Sequence, residues 1–138
     1  MSKVTCWLAF IALVGVADVV MAAGPVNPTT ASWIAPTTNV DGTPLNDLGT
    51  YKVYIASGVT QPPYPGSGWT LLATIPSPTT TPIGNTPVIY TLPTMVDGQK
   101  YIVVTAVDTT GNESAGTPAS PFVVNRLAPS APSQLQVQ

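Results

Sequence analysis

The sequence predicts an all-β domain, and three observations carry that expectation. The 16 prolines and 11 glycines fall in short clusters between apolar runs, which breaks long helices and marks frequent turns. The runs themselves alternate apolar and polar residues with the period of a strand. Only 7% of the 138 residues are charged and the net charge is −2, so no basic face is offered to nucleic acid or anionic lipid. The length suits a single domain that can bury a core.

Residues 1–22 read as a secretory signal peptide. Lys3 supplies a positive start, residues 4–20 are almost wholly apolar, and Val20-Met21-Ala22 suits cleavage after Ala22 or Ala23. The rival reading is an uncleaved anchor of about 20 residues. Asp18 opposes it, since a carboxylate in the bilayer costs roughly 2.5–3.5 kcal/mol. Cys6, the one cysteine, lies inside this segment without the small-residue context of a lipidation site. The mature chain is thus expected to be secreted, at the cell surface or beyond it, with no membrane attachment and no disulfide.

The domain proper is placed at residues 23–126. Its first strand candidate is "TTASWI" (29–34), stopped by Pro36, and a loop rich in Asn, Asp, Gly and Pro follows at 38–49. "TYKVYIA" (50–56) alternates Tyr51, Val53 and Ile55 with Lys52 and Tyr54. A proline-rich loop leads to "WTLLATI" (69–75), and a Pro/Thr stretch leads to "VIYTL" (88–92). Asp97-Gly98 introduces "KYIVVTAVD" (100–108), and "PFVVN" (121–125) closes the series.

"SWIAPTTNVDGTPLNDLGTYKVYIASG", "WTLLATI" and "YIVVTAVDTTGNESAGTPAS" together resemble a bacterial fibronectin type III domain over residues 29–125. The resemblance implies an immunoglobulin-like β-sandwich of two antiparallel sheets. It makes Trp33 the core tryptophan of strand B and turns Tyr51 and Val53 inward from strand C, with Leu92 inward from strand E. Met95, Gly98 and Tyr101 match the corner between strands E and F, where a tyrosine hydrogen-bonds backbone. The stretch 101–108 is a residue shorter than the family pattern, so two inward sets compete. Ile102, Val104 and Ala106 form one, Tyr101 and Val103 the other, and a bulge near Tyr101 would reconcile them.

The same resemblance exposes a gap and a surplus. Family members open with a strand A, yet after cleavage only "GPVNP" precedes Thr29. At the other end, residues 127–138 read as a linker followed by a strand-like tail. Leu135 and Val137 alternate with Gln134, Gln136 and Gln138, and "APSAPSQLQV" is similar to the opening of a following strand A. Residues 127–133 span at most about 25 Å, short of the length of the domain that they would have to recross. The expected function is therefore a structural subunit that assembles head to tail with copies of itself, as a filament or surface polymer. Pro132, Leu135 and Val137 would form the donor strand, and Thr29, Ala31 and Trp33 the acceptor groove.

The alternative is an adhesion module for glycan or protein at the cell surface, with Tyr54, Tyr64 and Trp69 as the ligand platform. An enzyme is not expected, nor a metal or cofactor. The chain has no histidine, and Asp41-Gly42 and Asp97-Gly98 are turn pairs. Asp108, Asn112 and Glu113 admit a weak cation site, with a turn-stabilising role favoured. Asn112-Glu113-Ser114 is formally a glycosylation sequon, whereas Pro28 rules out Asn27. Mass spectrometry of the exported protein should find an N-terminus at Ala23 or Gly24, whereas an intact Met1 in membranes would make the chain an anchored module.

Overall fold

The computed structural model describes residues 24–58 and 61–129. They form six strands and no helix: β1 (Thr30–Ile34), β2 (Leu48–Ala56), β3 (Thr70–Pro76), β4 (Pro87–Thr91), β5 (Gly98–Asp108) and β6 (Ser120–Val124). Each matches a strand read from the sequence to within two residues. The expected signal segment and the tail residues Pro132, Leu135 and Val137 lie outside the described residues.

The strands make a β-sandwich of two antiparallel sheets, one in the order β1-β4 and the other in the order β3-β2-β5-β6. The core between them joins Val88 of the small sheet to Leu48, Tyr51, Val53 and Val104 of the large one. Trp33, Tyr90, Leu72, Ile75, Ile102 and Ala106 pack around it. The edge of one ring meets the face of the other where Trp33 and Tyr51 touch across the sheets, with centroids 5.3 Å apart.

Two bulges tune these faces. Leu48 opposes Asp108 while Thr50 opposes Val107, so Gly49 is the extra residue. That insertion lets Leu48 and Tyr51, three positions apart, share the core. A side chain at Gly49 would press against the Asp108 carbonyl oxygen at 3.1 Å. The other bulge is in β3, where Val53 opposes Ala73 and Tyr54 opposes Leu71, leaving Leu72 over to turn toward the core.

β5 resolves the competition between its two inward sets without a bulge at Tyr101, since its pairing with β2 runs unbroken from Thr50 to Ala56. Ile102, Val104 and Ala106 pack on the core between the sheets. Tyr101, Val103, Thr105 and Val107 occupy the opposite face and are also buried. That face is covered by loops: Gly116 donates to the Tyr64 carbonyl at 2.7 Å, and a Cβ on Gly116 would lie 2.4 Å from Val103. The corner expected at Tyr101 is different too: its hydroxyl accepts from Gln99 Nε2 at 3.0 Å and bonds no backbone group among the described residues.

The segment "GPVNP" lies along β6 rather than β1. Val26 forms a parallel bridge with Val123, Asn27 N–H donates to the Val123 carbonyl at 2.8 Å, and Val123 N–H donates to Pro25 at 3.0 Å. Asn27, at φ 50, exchanges hydrogen bonds of 2.8 Å with the backbone of Asn125 in both directions. Gly24 is required by contact, since a Cβ there would sit 1.7 Å from the Pro121 oxygen. Only then does the chain cross to β1.

Truncating Tyr51, 1% exposed, should cost about 3–5 kcal/mol in chemical denaturation, as for emptying a large core site. Trp33→Ala should cost less, because Trp33 is half-buried and borders open space. Equal losses would mean that the indole is enclosed in solution.

Candidate functional site

β1 bonds β4 along one edge, and its other edge has no strand beside it among the described residues. Thr29 accepts from Leu92 N–H at 2.9 Å and Ala35 N–H donates to Thr86 at 3.0 Å. Antiparallel pairs alternate between bonded and non-bonded. Ala31 and Trp33 therefore bond β4, and the backbone groups of Thr30, Ser32 and Ile34 point to the open edge.

That edge borders a groove of about 360 Å³ between the two sheets. Ala31 and Trp33 line its β1 side, Ile102, Val104 and Phe122 its large-sheet side, and Pro25 and Pro28 the end where the chain crosses between sheets. The lining is mostly apolar and, among the described residues, carries no charged side chain. Trp33 Nε1 is buried without an acceptor among the described residues, which leaves a donor whose desolvation costs about 1–3 kcal/mol. β4 also has an open outer edge, but it begins with Pro87, a residue that blunts strand addition.

Of the predicted acceptor residues, Ala31 and Trp33 line the groove, whereas Thr29, which precedes β1, does not. Leu92 lies one residue past β4 and reaches the groove rather than the center of the core. The far wall was missed in the sequence. Phe122, in a short apolar run, was legible as a buried strand residue, but not which gap it would border.

The predicted ligand platform divides into two local structures. Tyr64 and Trp69 pair edge to face with centroids 5.7 Å apart and an interplanar angle of 74°, so they do not present one flat surface. The Tyr54 hydroxyl is committed to Glu113, donating to Oε1 at 2.7 Å. Thr105 donates to the same oxygen at 2.7 Å, and Lys52 Nζ to Oε2 at 2.5 Å. Partial burial pushes the Glu113 carboxyl up, but the hydrogen bonds from Lys52, Thr105 and Tyr54 and the lysine charge outweigh it and leave it below its ordinary value. Burial, with the neighbouring carboxylate, pushes Tyr54 up to about 12, so it remains a donor.

Asp108 stabilises its turn, accepting from Asn112 Nδ2 at 2.7 Å, from Thr110 Oγ1 at 2.8 Å and from both backbone amides. The Asn112 and Thr110 bonds hold it at about 2. Glu113 points away from it to Lys52, so the three residues weighed as a cation site separate into two jobs. Together these bonds hold the 109–119 connection, whose Thr117 and Pro118 line the groove.

Comparison of the chain with protein-family models, with curated proteins and with solved structures finds no match.

Both carboxyls have lowered values in the fold, so their contribution is present at neutral pH and is lost as pH falls through those values. The melting temperature should decline from about pH 4.5, the ordinary value of Glu113, toward pH 2 where Asp108 titrates. Glu113→Gln should lower stability at pH 7 and flatten the upper part of that decline, read by thermal melts across pH. An unchanged profile would place the Glu113 bonds outside the folding equilibrium.

Proposed function

We propose that this chain is an exported, fibronectin type III-like structural subunit that assembles head to tail, the β1 groove of one copy receiving residues 130–138 of another. The observation that carries this reading is the open edge of β1 above an uncharged groove between the sheets. The sheet orders β1-β4 and β3-β2-β5-β6 support the family resemblance, with β1 standing where strand B would and its free edge where strand A would lie. An added strand would bond Thr30, Ser32 and Ile34 and turn alternate side chains onto Ala31, Trp33 and Phe122. Leu135 and Val137 have that alternation, with Gln134 and Gln136 left for the outer face.

Direction favours a second copy over self-insertion. β6 ends where β1 begins, as the Asn27–Asn125 bonds show, so the chain leaves the domain at the starting end of β1. From there its own tail would enter the groove parallel to β1. The tail of a copy stacked end to end enters from the other end and runs antiparallel, the more stable pairing. A contact of this kind that does not close on itself makes a filament.

The mature chain is expected to lack cysteine, so engineered thiols give a clean test. Ala31→Cys and Leu135→Cys, made in separate copies and mixed under oxidising conditions, should cross-link between copies. Leu71→Cys in place of Ala31→Cys should not, because Leu71 is exposed on β3 at the far edge of the large sheet. Leu135→Asp or Val137→Asp would bury an unpaired carboxylate and should abolish assembly in sedimentation and electron microscopy, whereas Gln136→Glu should leave it intact. Absence of the mixed cross-link, or assembly by Leu135→Asp, would overturn the reading.

A further inference from the structure

The few charges of the domain are sorted by end. One end, here the tail pole, holds the start of β1, the end of β6 and the 92–97 connection. That end carries Lys100, Arg126 and a single carboxylate, Asp97, whose Oδ1 accepts the Arg126 backbone N–H at 3.0 Å. Among the described residues, Lys100 Nζ bonds only the neutral Ser57 hydroxyl, at 2.9 Å. The opposite, loop pole holds the 35–47, 77–86 and 109–119 connections. Asp41, Asp47 and Asp108 are there, and no cation lies on those connections. Lys52 and Glu113 cancel one another between the poles. Hydrogen bonds from Thr43 lower Asp41 as those from Asn112 lower Asp108, so both stay charged at neutral pH.

Each pole also carries apolar tips. Val96 and Leu127 are 81% and 80% exposed at the tail pole, and Val40 and Ile83 are 101% and 80% exposed at the loop pole. Isolated exposed hydrophobics need no explanation. Here they stand at the two ends of one axis, beside charges of opposite sign.

We infer that the two poles are complementary docking surfaces for a second copy of this chain, the loop pole of one copy seating on the tail pole of the next. Asp41 and Asp47 approach Lys100 and Arg126, while Val40 and Ile83 meet Val96 and Leu127. This rests on the head-to-tail reading for its axis, but it is a separate contact from the groove. Its work is in encounter: opposite potentials steer the approach and penalise tail-to-tail and loop-to-loop collisions. It also brings the residues after Pro129 to the open end of the next groove, in the antiparallel sense.

The test uses the full mature chain and follows elongation by light scattering. Wild-type elongation should slow roughly tenfold between low salt and 0.5 M salt as the poles are screened. Lys100→Glu with Arg126→Glu gives two acidic poles, and Asp41→Lys with Asp47→Lys gives two basic ones. Each double variant alone should elongate roughly tenfold slower than wild type at low salt. Their equimolar mixture should recover the wild-type rate, because every junction then pairs opposite poles. Thermal melts confirm that both variants fold. The salt response of wild type is an independent measure should either variant be unstable. A mixture no faster than its parts, or a wild-type rate indifferent to salt, would overturn the inference. Failure of the groove reading looks different: the cross-link between Ala31→Cys and Leu135→Cys copies is then absent although the pole variants still respond to mixing. If the cross-link forms equally well in both pole variants, the groove stands and the pole contact fails.

Discussion

A two-stranded sheet has little to hold it except the face it buries, and this constraint governs the molecule. β1 and β4 are distant in sequence, share no turn, and each has an edge with no strand beside it among the described residues. Their pairing persists because Trp33, Val88 and Tyr90 lie on Tyr51, Val53 and Val104. An isolated pair of strands is marginal in water, so the apolar layer between the sheets, with the Trp33–Tyr51 contact near its middle, stabilises both the pairing and the sandwich. Two of these residues, Trp33 and Val104, also line the groove. A strand added in that groove would therefore change the stability of the fold as well.

The larger sheet solves a different problem. Its central strand β5 is buried on both faces, which a simple sandwich does not require. The inner face packs on the core, and the outer face is roofed by the loop carrying Tyr64 and by the 109–119 connection. Roofing a sheet with loops brings polar backbone over apolar side chains, and the structure meets the cost with specific bonds. Glu113 gathers donors from Lys52, Tyr54 and Thr105, and Gly116 lies close enough to bond Tyr64 because it has no side chain. The same connection supplies one side of the groove, so the Glu113 network positions a wall of the candidate site from the far side of the sheet.

A protein with so few charges relies on placement more than number. Among the described residues, one ion pair sits between the poles, three carboxylates are at the loop pole, and two cations are at the tail pole with a single carboxylate. The segment 24–28 adds to this economy. It lies on the edge of β6 through the parallel Val26–Val123 bridge, closes one end of the groove with Pro25 and Pro28, and leaves the edge of β1 untouched.

The sequence by itself determined the strands, because alternation and turn chemistry are local: Tyr51 and Val53 announce an inward face, and Asp97-Gly98 announces the turn before β5. It determined the all-β class for the same reason, and it pointed to Ala31 and Trp33 through the resemblance of their strand to a known pattern. Only the tertiary structure decided what those strands lean on. The two faces of β5 read as rivals in sequence, since alternation says that residues differ in side but not that both sides are covered. The segment 24–28 has no strand periodicity, and its place along β6 depends on the distant backbones of Val123 and Asn125. Thr29 and Trp33 both belong to the first predicted strand and both turn their backbone to β4, yet only Trp33 borders the groove. Pairing between residues so far apart in the chain follows from long-range packing, which no local pattern encodes.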